Sequence, residues 1–131
     1  MGRDTSHVER TLISSGSPYE PVVGFSRAVR VGEHVYVAGT APVMPDGADP
    51  PEDSYGQARR CFEIIGAALE QAGASFADVV RTRVYLVSAD DFDEFARGNF
   101  SLYQIAVGLV FDIAADFFTL FQIGGNNHFG F

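Results

Sequence analysis

Residues 54–72 constrain the fold most, because they read as a long helix with a single apolar face. Ser54 and Gln57 have the spacing of a capping box at a helix start. Apolar side chains then recur at helical spacing, at Ala58, Cys61, Phe62, Ile65, Leu69 and Ala72. Gly73 is a C-terminal stop signal. Because such a helix buries only one face, the pattern predicts that it packs on another layer.

Alternating apolar residues on both sides of this helix predict the strands of that layer. The run "AVRVGEHVYVAG", residues 28–39, reads as a hairpin that turns at Gly32-Glu33. Residues 81–87, "RTRVYLV", read as a strand that points Val84 and Leu86 to one side. Further strands are predicted within 8–14, 105–113 and 117–123, and a second helix begins at Ser88 and is interrupted or ended by Gly98-Asn99.

This order predicts a single α+β domain over residues 1–131, with two helices on one side of a mixed six-stranded sheet. The other face of the sheet is then left without a covering helix. An uncovered apolar face is most simply buried by a second copy of the chain, so we expect an oligomer.

The charge and cysteine content exclude several classes of protein. The formal net charge is −8 and the chain has no lysine, which argues against non-specific binding of nucleic acid or anionic membranes. No apolar run reaches the ~20 residues of a membrane helix, and the charged N-terminus does not resemble a signal peptide. The single cysteine, Cys61, favours a reducing cytoplasm and a place in the core. His7, His34 and His128 lack metal-ligand spacing, so we expect no metal.

The second strand of the predicted hairpin is followed by a run of small residues, Ala38-Gly39-Thr40-Ala41-Pro42. Small residues at a strand end allow a packed neighbour, another chain or a ligand to approach the backbone. The residues alone leave these three possibilities open.

Two segments of the chain resemble the RidA family, also called the YjgF/YER057c/UK114 family. "VVGFSRAVRVGEHVYVAGTAP" is similar to the family segment G-P-Y-S-Q-A-V…G…V-x-V-S-G-Q-I-P. "QARRCFEIIGAALEQAGASFADVVRTRVYLVSADDFDEF" is similar to the family's helix, its A-G-x-s-x-x-d-V-V turn and the strand that follows. The resemblance covers residues 10–97.

The resemblance implies a chorismate-mutase-like α+β fold and a homotrimer with clefts between subunits. It also implies cofactor-free hydrolysis of reactive 2-imino acids and enamines to 2-oxo acids and ammonia. Small imino or oxo acids are then the expected partners, and Ala38-Gly39-Thr40 would lie beside the ligand cleft.

Six positions carry the implied substrate site. Phe25 stands where the family often has tyrosine, Ala38 where it has serine, and Gly39 matches. Asp90 falls near a position that is asparagine in some members. Arg81 and Arg83 alternate on one strand, which favours a salt bridge at the surface or at a subunit interface, but Arg83 is the best remaining arginine for contacting an anion. The complete set of expected substrate-binding residues is Phe25, Ala38, Gly39, Thr40, Arg83 and Asp90.

The segment 98–131 departs from the family pattern. The resemblance implies a late arginine that pairs with the substrate carboxylate and a late glutamate that positions water. This chain has no arginine after Arg97 and no glutamate after Glu94. Three functions therefore stay open: an imine deaminase, impaired by these losses; a noncatalytic trimer that binds a small carboxylate or carbonyl compound; and a ribonuclease, which the acidic composition disfavours.

Overall fold

The chain forms an α+β arrangement, as the sequence predicts. A computed structural model describes residues 9–102, 110–115 and 122–123. The strands are β1 (Arg10–Ile13), β2 (Ala28–Val31), β3 (His34–Val37), β4 (Arg81–Leu86), β5 (Val110–Ala115) and β6 (Gln122–Ile123). The helices are α1 (Glu20–Val23), α2 (Ser54–Gln71) and α3 (Phe92–Leu102), with 3-10 turns at Pro45–Gly47, Phe76–Asp78 and Ala89–Asp91.

Strands β1, β2 and β3 form an antiparallel group in that order. The β2–β3 register pairs Val31 with His34, so the predicted hairpin turn at Gly32-Glu33 is confirmed. On the face away from α2, the register aligns Leu12, Val29 and Tyr36 across the three strands. Leu12 is 65% exposed and Tyr36 is 64% exposed, so this face carries apolar surface in contact with solvent.

Strand β4 lies between β5 and β6 and runs parallel to both. Among the described residues, hydrogen bonding thus joins the strands in two groups of three, and one continuous six-stranded sheet stays a prediction. The strand predicted within 105–113 is described only from Val110, and the one within 117–123 only at Gln122–Ile123. The remainder of both predicted strands lies outside the described residues.

Helix α2 matches the predicted span, but its cap differs. Asp53, not Ser54, is the N-cap, and its carboxylate accepts a hydrogen bond from the Gly56 N–H. With Asp53 as the N-cap, the third residue of the helix is Gly56, so Gln57 is not at the capping-box position, and its Nε2 donates to the Pro51 carbonyl at 2.8 Å. Gly73 has a φ of 78°, a left-handed conformation that glycine adopts without strain, so the predicted stop is confirmed.

The core lies between α2 and both groups of strands. Cys61, Phe62 and Phe95 are completely buried, as is Val84 of β4, and Leu86 of the same strand is 5% exposed. A second cluster joins Ile13 and Ala28 of the antiparallel group to Ala68 and Ala72 of the same helix. Val35 and Val37 of β3 pack against both clusters, so α2 holds the two groups of strands in one core.

The structure differs from the sequence prediction at two short segments. α1 falls in a stretch predicted as loop; Pro21 stands in its first turn, where a missing N–H costs little, and Gly24 ends it with a φ of 83°. The predicted break at Gly98-Asn99 is wrong, because α3 continues to Leu102. A helix that packs on a neighbour, as α3 does on α2, tolerates the ~1 kcal/mol cost of an internal glycine.

Within the described part of the chain, no helix combines the length and apolar character that a membrane span requires.

Candidate functional site

The candidate site is built on the end of β3, where the side chains become small. Ala38 and Gly39 are half-buried and follow Val37 directly. The Ala38 N–H donates to the Arg27 carbonyl at 2.9 Å, which extends the hairpin by one residue pair. The Ala38 N–H is therefore used inside the fold, and the N–H of the half-buried Gly39 is the one to consider for a ligand.

Thr40 fastens this strand end to helix α2. It is 1% exposed, and its hydroxyl donates to the Ala38 carbonyl at 3.0 Å. Its own carbonyl accepts a hydrogen bond from the Cys61 thiol at 3.4 Å. The Thr40 hydroxyl thus faces the protein interior, and a binding role for Thr40 stays a prediction.

Cys61 is a core residue, as the sequence predicts. It is completely buried, and burial raises the pKa of its thiol to about 12. A thiol that stays protonated at neutral pH is a poor nucleophile.

Arg27 places a cation at the same strand end. Its Nη2 donates to the carbonyl oxygen of Gly39. Its Nε is buried and has no acceptor among the described residues. Burial lowers the pKa of the Arg27 guanidinium, and the nearby Glu20 opposes this only in part.

An open cleft of about 1100 Å³ separates β3 from β4. Ile65 and Leu69 of α2 contribute to its lining, as do Ala38, Gly39 and Arg83. Arg83 is exposed, because it points away from the face of β4 that carries Val84 and Leu86. Three of the six residues predicted from the sequence therefore share one cleft.

The other predicted site residues lie outside this cleft. Phe25 is 37% exposed and lies between α1 and β2. Asp90 is exposed in the 3-10 turn before α3, where its N–H donates to the Ser88 hydroxyl. Thr40 is buried beneath the strand end. A role for Phe25 or Asp90 in binding stays a prediction.

The histidines bear on the expectation of a metal. His34 lies on β3, stacks on Tyr36 with ring centroids 6.3 Å apart, and lines the cleft. His7 and His128 lie outside the described residues. Within the described ranges, no group of three or more His, Cys, Asp or Glu side chains is placed to hold a metal ion.

Comparison with known proteins decides the family. The family model described as Endoribonuclease L-PSP matches residues 15–101. The chain belongs to this family. It is the family that contains the RidA and YjgF/UK114 proteins, so the resemblance predicted for residues 10–97 is confirmed.

Two relatives of this Endoribonuclease L-PSP family member share part of its sequence. A RutC family protein of Pyrococcus abyssi is 42% identical over 74 residues, which is 56% of this chain and 58% of that protein. A protein of Escherichia coli named 2-iminobutanoate/2-iminopropanoate deaminase is 27% identical over 85 residues, covering 65% of this chain and 66% of that protein.

Solved structures share the fold. A member of the YjgF/YER057c/UK114 family from Mycobacterium tuberculosis is 35% identical, with a TM-score of 0.69 over 86% of this chain and 90% of that one. The structure of Escherichia coli TdcF with bound serine is 22% identical, with a TM-score of 0.64 over 80% of each chain. Both likenesses support the α+β architecture.

Arg27 is a further cation at this strand end that the sequence did not indicate. It occupies the glutamine position of the family segment S-Q-A-V, here "SRAV". One sequence signal was available for its position. Arg27 comes two residues after Phe25 and directly before Ala28, a buried strand residue. The sequence did not reveal that its guanidinium reaches Gly39, because that contact depends on the pairing of β2 with β3.

Proposed function

We propose that this family member binds small 2-imino and 2-oxo acids at the end of β3 and hydrolyses the imino acids to 2-oxo acids and ammonia. The observation that carries the proposal is that the small residues Ala38 and Gly39 line the same cleft as Arg83. A relative at 27% identity is named for this deaminase activity, which supports the same choice.

The chemistry needs little from the protein beyond positioning and charge. Water adds to the imine carbon, and collapse of the resulting carbinolamine expels ammonia and leaves the 2-oxo acid. In this proposal the Arg83 guanidinium holds the carboxylate, and the backbone N–H of Gly39 orients the polar end of the substrate. We expect slower turnover than in relatives that carry the late arginine and glutamate, since this chain lacks both.

We also propose a homotrimer with the clefts between subunits. The support is the apolar row of Leu12, Val29 and Tyr36, in which Leu12 and Tyr36 are exposed and Val29 is half-buried, a surface that a second copy would bury. Sedimentation velocity should give about three times the 14.2 kDa chain mass at micromolar protein. A species of one chain mass would contradict the trimer.

The activity test uses 2-iminopropanoate generated in place by an amino-acid oxidase acting on alanine. We expect the protein to speed the decay of the imine. Gly39→Val, which fills the strand end, should abolish the effect, whereas the matched Ala41→Val at an exposed position two residues later should preserve it. Equal loss in both variants, or equal activity in both, would contradict the placement of the site.

A noncatalytic binding protein is the second candidate, and the absence of any arginine after Arg97 and any glutamate after Glu94 favours it. It predicts measurable binding of a 2-oxo acid such as pyruvate with no acceleration of imine decay. The same oxidase assay, run beside a calorimetric titration, separates the two candidates.

A ribonuclease is disfavoured, although the family model carries that word in its description. The net charge of −8 provides no general attraction for a phosphate backbone.

A further inference from the structure

The wall of the candidate cleft on the β3 side is aromatic. His34 and Tyr36 both line it, and their rings are nearly parallel, with centroids 6.3 Å apart and 16° between the ring planes. Val35 and Val37 pack into the core, so the alternation along β3 places both rings on the face away from α2. His34 is exposed and Tyr36 is 64% exposed, so a ligand in the cleft can reach this aromatic wall.

The floor of the cleft is apolar and rigid. Ile65 and Leu69 of α2 line it, and both are held in the core with exposures of only 6% and 5%. Val79 lines the cleft as well and packs against the same core. A polar group placed on this floor would lose hydrogen bonds to water, whereas an apolar group would not. The floor therefore suits a ligand with an apolar part.

The wall on the β4 side is polar. Arg83 and Tyr85 line the cleft and lie on the face of β4 away from Val84 and Leu86, which are in the core beside α2. The aromatic wall also lies away from α2, so the two walls flank one cleft on the same side of the molecule. A ligand that spans the cleft thus meets rings at one end and a guanidinium at the other.

The cleft is also larger than the smallest acids of the proposed function need. Its volume is about 1100 Å³, and clefts of about 300–1,000 Å³ hold ligands of drug size. A three-carbon acid held at Arg83 and Gly39 would leave the aromatic wall in contact with water. A ring attached to the same acid would cover that wall and remove its apolar surface from water.

We infer that, among the 2-imino and 2-oxo acids of the proposed function, the cleft prefers those with an aromatic side chain, whose ring stacks on His34 and Tyr36. The inference rests on the proposed function and names the substrate class within it. The acid end keeps its place at Arg83 and Gly39, and the ring lies on the aromatic wall. Stacking supplies the preference, because aromatic pairs gain free energy beyond the burial of their area.

The first test compares two 2-oxo acids that differ only by a terminal phenyl group, 2-oxobutanoate and 2-oxo-4-phenylbutanoate. Calorimetric titration of the full-length wild-type protein should show about tenfold tighter binding of the phenyl compound. This comparison needs no variant, so it is decisive whether or not a variant folds. Equal affinities for the two acids would overturn the inference.

The second test locates the ring with variants. Tyr36→Leu and His34→Leu each keep an apolar side chain but remove a ring, and each should reduce the ratio of the two affinities about threefold. Tyr19→Leu makes the same change at an exposed tyrosine outside the cleft lining and should leave the ratio unchanged. Sedimentation velocity checks that each variant keeps the assembly of the wild type. An unchanged ratio in both Tyr36→Leu and His34→Leu would overturn the aromatic wall as the ring site.

Turnover separates this inference from the proposed function. The oxidase assay with phenylalanine in place of alanine supplies an imino acid with an aromatic side chain, and we expect a lower KM for it than for 2-iminopropanoate. Acceleration of the decay of 2-iminopropanoate alone would overturn the aromatic preference and leave the proposed function standing. Failure to bind either 2-oxo acid and to accelerate the decay of either imine would overturn both.

Discussion

Replacing Gly66 by alanine tests the packing of α2. We expect the substitution to lower the free energy of unfolding, whereas helix propensity alone predicts an increase. Gly66 lies in the interior of α2, where alanine is favoured over glycine by about 1 kcal/mol. A Cβ built on Gly66 would lie 2.8 Å from Cζ and 2.9 Å from Cε2 of Phe76. These separations are well below ordinary carbon contacts of about 3.5–4.0 Å.

The Phe76 ring has little freedom to retreat. Its edge packs on Phe62, with ring centroids 6.5 Å apart at 79°, and Phe62 is completely buried. Its backbone is held by the Ser75–Asp78 capping box, in which the Ser75 N–H donates to Asp78 at 2.8 Å. Overpacking typically costs about 1–3 kcal/mol, which exceeds the gain in helix propensity. We therefore expect Gly66→Ala to lower the free energy of unfolding by about 1 kcal/mol.

The assay is thermal unfolding at a fixed protein concentration, because association would otherwise shift the midpoint. A loss of about 1 kcal/mol corresponds to a decrease of roughly 3–5 °C in Tm. In a Phe76→Ala background the clash is gone, so Gly66→Ala should raise Tm by a similar amount. The control is Ala67→Gly at the exposed neighbouring position, which should lower Tm equally in both backgrounds.

One result would refute this reasoning. If Gly66→Ala raised Tm in the wild-type background as well, the Phe76 ring would have to move freely, and its packing against α2 would not be as the structure describes.

Three further predictions concern other residues. Cys61 should react with a thiol reagent at pH 8 only when urea opens the core, because burial raises its pKa to about 12; rapid labelling of the native protein would contradict this. Hydrogen bonds from two serine side chains lower the pKa of Glu20 to about 2, so its stabilising effect is present above pH 4.5 and is lost as the pH falls towards 2. The difference in Tm between wild type and Glu20→Gln should shrink over that interval, and a constant difference would argue against the hydrogen bonds. Arg30→Met should destabilise the chain by about 1–2 kcal/mol in urea unfolding, because the Arg30 guanidinium donates to the Ala72 carbonyl at the end of α2 at 2.6 Å; no change in midpoint would contradict this contribution.

Local periodicity in the sequence was enough to predict the long helix and the hairpin, because each is formed by a continuous stretch of the chain. The apolar spacing of residues 54–72 predicts α2, and the alternation around Gly32-Glu33 predicts the β2–β3 hairpin. Such patterns reflect which side of an element is buried, which the sequence expresses directly. The family resemblance came from the same two regions, since the motif residues lie on and between these elements.

Pairing between distant segments was decided only by the tertiary structure. The sequence predicts small residues at Ala38–Thr40, but the fold buries the Thr40 hydroxyl against Ala38 and brings the Arg27 guanidinium to Gly39. The sequence places Arg83 and Gly39 44 positions apart, and one cleft joins them because α2 carries β3 and β4 in one core. Contacts of this kind depend on strand register and side-chain packing over the whole domain, and local periodicity records neither.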